Sequence, residues 1–251
     1  MKKTSFAEIL NYIKGMVIGE IIRRFLVKRK TFDNLNRSHF QLQAIGRDLL
    51  KLHSAHFQDL WVLSVVGFKT GYCVEFGGYD GKASSNTYCL EKEYGWTGII
   101  VEPGFSFRES LISNRSCVLD YRAVWDKTGE KIGFKEDVLE GYLSVAVEDS
   151  LVDSGNESLQ YLVDTVTLFD LLSEHGAPES IDYISVDIEG SELRVLTEFF
   201  ERNDRFDVRC WTVEHNFKES RDNLERLFSI NGYIAVNKEL SYRDYWFIKQ
   251  K

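Results

Sequence analysis

The stretch "VEFGGYDG", Val74–Gly81, ends an apolar run and opens a segment with helical spacing. Three glycines within five residues let the backbone turn tightly and approach a ligand closely. A helix beginning just after them offers unpaired N–H groups. The spacing Gly77, Gly78, Gly81 misses the G-x-G-x-x-G pattern of dinucleotide sites. Glu75 stands inside the strand end, and a carboxylate beside such a turn repels phosphates and suits a cationic ligand. The next apolar run, "WTGIIVE", ends at Glu102, 21 residues past Gly81, where an acid can accept both hydroxyls of a ribose. A ribose, two cationic groups and no phosphate together describe S-adenosylmethionine, with its sulfonium and ammonium.

Outward from this point, short β-rich runs alternate with helical ones. "GYCVEF", "WTGIIVE", "SCVLDYRAV", "DYISVD" and "VRCWTVE" are bounded by Gly, Asn, Asp or Pro. Helical periodicity covers about 83–94, 105–113, 165–175, 191–202 and 218–230. Runs buried on both faces and spaced by helices predict a parallel sheet covered on each side. The terminal "GYIAVNKELSYRDYWFIK" makes two strands around a polar turn, so one strand must run antiparallel. The expected fold class is α/β, a doubly wound and mostly parallel Rossmann-like sheet. Upstream, Phe6, Ile9, Leu10, Ile13, Val17, Ile21 and Phe25 stripe a helix over 5–27, a second helix covers about 38–52, and "FQDLWVLSVVGF" reads as a third. Residues 1–65 are therefore expected as a helical N-terminal extension and 66–251 as the main domain.

Bulk composition narrows the function. The net charge of −8 argues against broad nucleic-acid binding, which needs a cationic footprint. The balance is uneven, since residues 1–30 hold eight Lys/Arg against two Glu, leaving −14 on the rest. Cys73, Cys89, Cys117 and Cys210 form no C-x-x-C pair, which predicts neither a disulfide framework nor a zinc site and fits a reducing, cytoplasmic setting. Glu8 and Lys14 interrupt any signal-peptide core, and nowhere do 18 apolar residues run together.

"IDYISVDIEG", Ile181–Gly190, puts Asp187 and Glu189 at the end of the fourth strand. The fifth strand ends "WTVEHN", with Glu214 and His215 lying 27 and 28 residues beyond Asp187. Neighbouring strands would bring these groups to the carboxyl edge of the sheet, where ligands bind in such folds. Asp187, Glu214 and His215 are the candidate ligands of a divalent cation, Mg²⁺ or Mn²⁺. Glu189 and His215 are the candidate bases, so Asp187, Glu189 and His215 make up the expected catalytic group.

Taken together, "VEFGGYDGKASSNTYCLEKEYGWTGIIVEP", "VDTVTLFDLL" and "IDYISVDIEGSELRVL" resemble the FkbM family of class I S-adenosylmethionine-dependent methyltransferases over about residues 57–249. The resemblance implies a seven-stranded sheet with an antiparallel final strand and an activity that methylates hydroxyls, often on sugars or glycans. It implies that Glu75, Gly77 and Asp80 frame the methionine half of the cofactor, with Ser85 and Asn86 near its carboxylate. Glu102 would hold the ribose, and Ala123, at the end of the third strand, would face the adenine. Tyr79 departs from the family's pattern, being bulky where many methyltransferases carry a small residue. The carboxylate group is also similar to the metal triad of catechol O-methyltransferase and of the sugar O-methyltransferases of macrolide pathways, with His215 replacing an Asn or Asp.

The expected reaction is therefore cation-assisted O-methylation of a sugar or glycan hydroxyl, with a cell-surface polysaccharide or lipid-linked glycan favoured as acceptor. The alternatives are a metal-independent enzyme using His215 as general base and a non-catalytic member that binds a glycan or partner. An NAD-linked oxidoreductase is disfavoured by Glu75 and the missing fingerprint. No nucleic-acid partner is expected. The basic, apolar-striped helix at residues 5–30 suggests self-association or peripheral contact with the inner face of a membrane.

Overall fold

The computed structural model describes residues 52–67, 69–137, 144–147, 158–216 and 221–250. The stripe at 5–30 and the helix expected at about 38–52 lie outside the described residues, apart from Leu52. Residues 51–251 form one compact unit. Its strands are β1 (Tyr72–Phe76), β2 (Thr97–Val101), β3 (Val118–Asp120), β4 (Ala123–Val124), β5 (Lys131–Asp137), β6 (Ser144–Val147), β7 (Ser158–Val166), β8 (Ser180–Val186), β9 (Asp207–Glu214), β10 (Tyr233–Val236) and β11 (Asp244–Lys249). The helices are α1 (Gln58–Val66), α2 (Tyr88–Tyr94), α3 (Arg108–Asn114), α4 (Leu168–Glu174), α5 (Glu192–Arg202) and α6 (Arg221–Ile230).

Seven strands make the main sheet in the order β10-β11-β9-β8-β1-β2-β3. All pair in parallel except β11, which runs antiparallel to both β9 and β10. The terminal hairpin thus inserts its last strand between β9 and β10, as the sequence requires. The chain leaves β1 toward β2 and β3, then returns to place β8 on the other flank. That reversal opens a crevice beyond the carboxyl ends of β1 and β8.

One face of the sheet carries the main apolar core. Val74, Ile184, Trp211 and Phe247 bury there against Val195, Leu196 and Phe199 of α5 and Leu224 and Phe228 of α6. Apolar residues three and four apart on each helix make that face, and Phe228 stacks on Phe247 at 3.8 Å. On the opposite face Trp61 of α1 stacks on Trp246 at 5.0 Å, and both are buried. Helix α1, which the sequence reading assigns to the extension, is therefore packed on the sheet within the main unit.

Among the described residues, further departures from the sequence expectations have local causes. "SCVLDYRAV" is two strands, because the Asp120 carboxylate accepts the Arg122 N–H at 2.9 Å and turns the chain after β3. Ala123–Val124 then joins a second sheet, β4-β7-β5-β6, which sequence reading did not foresee. Its core is Ala123, Trp125, Ile132, Phe134 and Val163. Strand β7 also runs on to Val166, and α4 starts only after Thr167, whose hydroxyl caps the Asp170 N–H at 3.1 Å. Finally, α2 starts at Tyr88 instead of 83, because residues 85–87 wrap around Glu75. Among the described residues no helix is long and apolar enough to cross a membrane.

Candidate functional site

The turn after β1 is held open for a ligand by its backbone. Gly77 has φ 76° and donates its N–H to the Val101 carbonyl at 3.1 Å, and Gly78 does the same at 3.2 Å. Tyr79, also left-handed at φ 45°, donates its N–H to Glu102 Oε2 at 2.8 Å. Gly104 N–H reaches Glu102 Oε1 at 2.7 Å, so two backbone donors orient the buried carboxylate from opposite sides. Burial, outweighing these two donors and aided by the charges of Glu136 and Glu75, pushes Glu102 up to about 7.

These groups line one cleft at the crevice between β1 and β8. Gly77, Tyr79, Ser85, Glu102 and Pro103 line it, together with the apolar Ala123, Val124 and Phe134 and with Asp187, Glu189 and Ser191. A cleft that combines a buried acid with apolar residues fits the nucleoside and methionine parts of S-adenosylmethionine. When bound, that cofactor supplies a methyl group on a sulfonium.

Glu75 sits behind the cleft and not in it. Its carboxylate accepts Ser85 Oγ–H at 2.8 Å, Thr87 Oγ1–H at 2.6 Å and Asn86 N–H at 2.6 Å. Arg115, its side chain fully buried, pairs with Glu75 at 3.2 Å and with Glu91 at 2.6 Å and also donates to the Gly81 carbonyl. Glu75 therefore shapes the loop that forms the cleft wall. Asn86 likewise turns away, donating from Nδ2 to Ser185 Oγ at 2.8 Å. Asp80 accepts the N–H groups of Lys82 and Ala83 at 2.8 and 2.7 Å, closing the turn on itself.

At the far end, one carboxylate oxygen each from Asp187, Glu189 and Glu214 lie within 4.8 Å of one another. Asp187 follows β8 and Glu214 ends β9, and the parallel register Val186↔Val213 sets both at the same level. Glu189 has φ 58°, and the Glu192 side chain fixes its loop by accepting the N–H groups of Ile188 and Gly190. Burial pushes Asp187 well above the ordinary carboxylate range, helped by the charges of Glu214, Glu189 and Asp244. Burial and Glu189 likewise push Glu214 up to about 7. Behind them Asp244, opposite Glu214 in the β9–β11 ladder, accepts Gln58 Nε2–H at 2.6 Å.

His215 does not join this group. Its N–H bonds the Arg243 carbonyl at 2.8 Å and its buried ring packs edge-on against Tyr245, centroids 4.8 Å apart. Burial and Arg221 hold its imidazole below the ordinary value. A residue adjacent in sequence along a strand points to the opposite face, which is why Glu214 and His215 part company.

A family model of the methyltransferase FkbM domain matches residues 75–245, most of the chain. The chain belongs to the FkbM methyltransferase family. No curated protein matches it. Among solved structures this FkbM domain is similar to the METTL16 MTase domain, with TM-score 0.43 and 13% identity, covering 76% of this chain and 64% of that one. It is also similar to a putative RNA methyltransferase, PH1948 from Pyrococcus horikoshii, with TM-score 0.41 and 12% identity over 78% and 81% of the two chains. A third is a precorrin-6y C5,15-methyltransferase from Geobacter metallireducens GS-15, with TM-score 0.38 and 10% identity over 76% and 84%. Likenesses this distant say nothing about an acceptor.

Of the residues expected to hold the cofactor of this FkbM methyltransferase, Gly77, Ser85, Glu102 and Ala123 line the cleft, while Glu75, Asp80 and Asn86 build its wall. Phe134, Arg115 and Glu136 were not anticipated. Phe134 and Glu136 come from β5, whose alternation "KIGFKE" was the available signal.

Proposed function

We propose that this FkbM methyltransferase transfers the methyl group of S-adenosylmethionine to a hydroxyl of a sugar or glycan, with divalent-cation assistance. A cell-surface polysaccharide or a lipid-linked glycan is the favoured acceptor. The observation that carries the reading is that Asp187 and Glu189 line the same cleft as Gly77, Glu102 and Ala123. Carboxylates at the open end of a cofactor cleft suit an acceptor that must lose a proton. A sugar hydroxyl is such an acceptor, being a weak nucleophile at neutral pH.

The chain's own residues then have distinct tasks. Glu102, held by Tyr79 and Gly104, accepts the ribose hydroxyls. The loop pinned by Glu75 and Arg115 holds the methionine end, so that the acceptor oxygen and the methyl group meet in line. Glu189 takes the hydroxyl proton as the new O–CH₃ bond forms and the S–CH₃ bond breaks. Acidic groups around the acceptor, and the overall charge of −8, disfavour a polyphosphate backbone and support a neutral sugar. The test is a screen of neutral polysaccharides, lipid-linked glycans, nucleotide-sugars and RNA with methyl-labelled cofactor. Label in a base-stable ether on a sugar supports the reading; label only in RNA or on nitrogen overturns it.

A further inference from the structure

We infer that Asp187, Glu189 and Glu214 together bind one divalent, oxygen-seeking cation at the methyl-donating end of the cleft. The inference rests on the proposed reaction for the ion's role and deepens it by naming the ligands, with Glu189 taking the place expected of His215. Three acids supplied by two neighbouring strand ends present oxygens within 4.8 Å of one another. Glu214 adds an independent observation: the residue is 9% exposed, and its Oε2 is buried with no hydrogen-bond partner among the described residues. Buried carboxylate oxygens are almost always satisfied in native proteins, so this one is placed to take a ligand.

The loop geometry serves the same end. Glu189 holds a left-handed backbone, which a non-glycine residue adopts at a cost, and two N–H bonds to Glu192 keep it there. Asn216 Nδ2 donates to Glu189 Oε2 at 3.4 Å, steadying the side chain toward β9. The strongest charges around Asp187 are those of Glu214, Glu189 and Asp244, all negative.

Size and hardness narrow the ion. An all-oxygen set favours Mg²⁺, Mn²⁺ or Ca²⁺ over Zn²⁺ or Cu²⁺. Two ligands across an ion are separated by at most about twice the metal–oxygen distance, about 4.2 Å for Mg²⁺ and about 5 Å for Ca²⁺. Oxygens up to 4.8 Å apart accept the larger ion directly and the smaller after the side chains draw in slightly. Such an ion would lower the pKa of an acceptor hydroxyl, and the Glu189 oxygen not on the ion would take the proton.

The experiment is a Mn²⁺ titration of the chelator-treated full chain, followed by electron paramagnetic resonance, without cofactor or acceptor. One Mn²⁺ per chain is expected, with Asp187→Asn and Glu214→Gln each weakening it by about tenfold or more. His215→Ala should bind Mn²⁺ as the parent does. S-adenosylhomocysteine binding reports that each variant is folded, and Glu189→Gln, at a half-buried loop position, serves where a strand-end variant fails to fold. No Mn²⁺ binding at millimolar concentration overturns the site, as does binding that is lost in His215→Ala but kept in Glu189→Gln. A parent that methylates sugar hydroxyls without binding Mn²⁺ overturns the site and keeps the reaction. Mn²⁺ bound through these acids while only nitrogen is methylated keeps the site and overturns the reaction.

Discussion

A Cβ built on Gly77 would lie 2.1 Å from the carbonyl oxygen of Asp187. The two residues follow β1 and β8, the neighbouring strands between which the chain reverses direction. The cofactor turn and the carboxylate loop are therefore in backbone contact, and a side chain at Gly77 would force both apart.

Gly77→Ala should thus damage the whole crevice. The clash is with backbone and φ is 76°, so strain of about 1–3 kcal/mol adds to the displacement of Asp187. Loss of S-adenosylhomocysteine binding by calorimetry, with a lowered melting temperature, is expected. Gly78→Ala is the contrast: its Cβ meets a methyl of Ile100 at 2.5 Å, and φ there is not left-handed. It should cost less on both readouts. Equal affinity in Gly77→Ala and the parent would refute the close approach.

Glu102 makes cofactor binding depend on pH. In the ligand-free fold it keeps its proton up to about 7, against an ordinary 4.5. The folded state then holds more protons than the unfolded one across that interval, so this group's contribution to stability falls as pH rises from about 4.5 to about 7 and is level above. Ribose hydroxyls donate to the ionised form. Affinity for S-adenosylhomocysteine should therefore climb by up to about tenfold per pH unit below about 7 and then flatten. Calorimetry in buffers of different ionisation heat should detect proton release on binding. Glu102→Gln should remove the slope and weaken binding by about 10- to 100-fold; a slope that persists in the variant would assign the titration elsewhere.

Arg115 is a structural cation whose removal should be expensive. Its guanidinium is buried between Glu75 and Glu91. Against the upward push of burial, hydrogen bonds from Lys92 and Cys117 and then the Arg115 charge hold Glu91 down to about 2. Arg115→Met fills similar space but takes from the buried Glu75 the cation it pairs with and leaves Glu91 with Lys92, a loss of about 3–5 kcal/mol in urea unfolding. Because Glu91 lies below its unfolded value, its share of stability is present above about 4.5 and is lost as pH falls toward about 2. A change below about 1 kcal/mol would mean that Lys92 and the donors from residues 85–87 hold the two acids without Arg115.

How far the sequence could be read follows from which forces act locally. The strands of the main sheet, the antiparallel last strand and the pairing of Glu102 with the glycine turn were all legible, because period and spacing carry them. The second sheet was not, since β5 and β7 are half-exposed strands whose small core forms only between residues as far apart as Ala123, Phe134 and Val163. Glu75 and Asn86 are expected at the cofactor, whereas their side chains bond within the loop and to Ser185. Nothing in "VEFGG" reveals that Arg115, 40 residues on, claims the Glu75 carboxylate. His215 was misplaced for a different reason. Adjacency to Glu214 in sequence suggests a shared site, whereas strand geometry sends successive side chains to opposite faces.

Glu136 supplies the last prediction. It is a buried acid on β5, and its carboxylate accepts the Phe105 N–H and the Tyr161 hydroxyl. Phe105 also donates its N–H to the Tyr161 oxygen at 2.7 Å, so two strands of the second sheet grip one turn. That turn begins at Gly104, whose N–H orients Glu102, and a Cβ on Gly104 would fall 2.6 Å from Glu102 Oε1. The second sheet therefore positions the ribose acid from a distance, without touching the ribose itself. Glu136→Ala should free the turn and weaken S-adenosylhomocysteine binding by about tenfold, the worth of about one charged hydrogen bond. Glu136→Gln retains an acceptor for the Phe105 N–H and should recover much of that loss, whereas a purely electrostatic role would leave Gln as impaired as Ala. The affinity of Glu136→Ala should also respond less to pH, because removing a nearby negative charge lowers Glu102 toward its ordinary value. Unchanged affinity and an unchanged pH profile in Glu136→Ala would show that the turn holds without its latch.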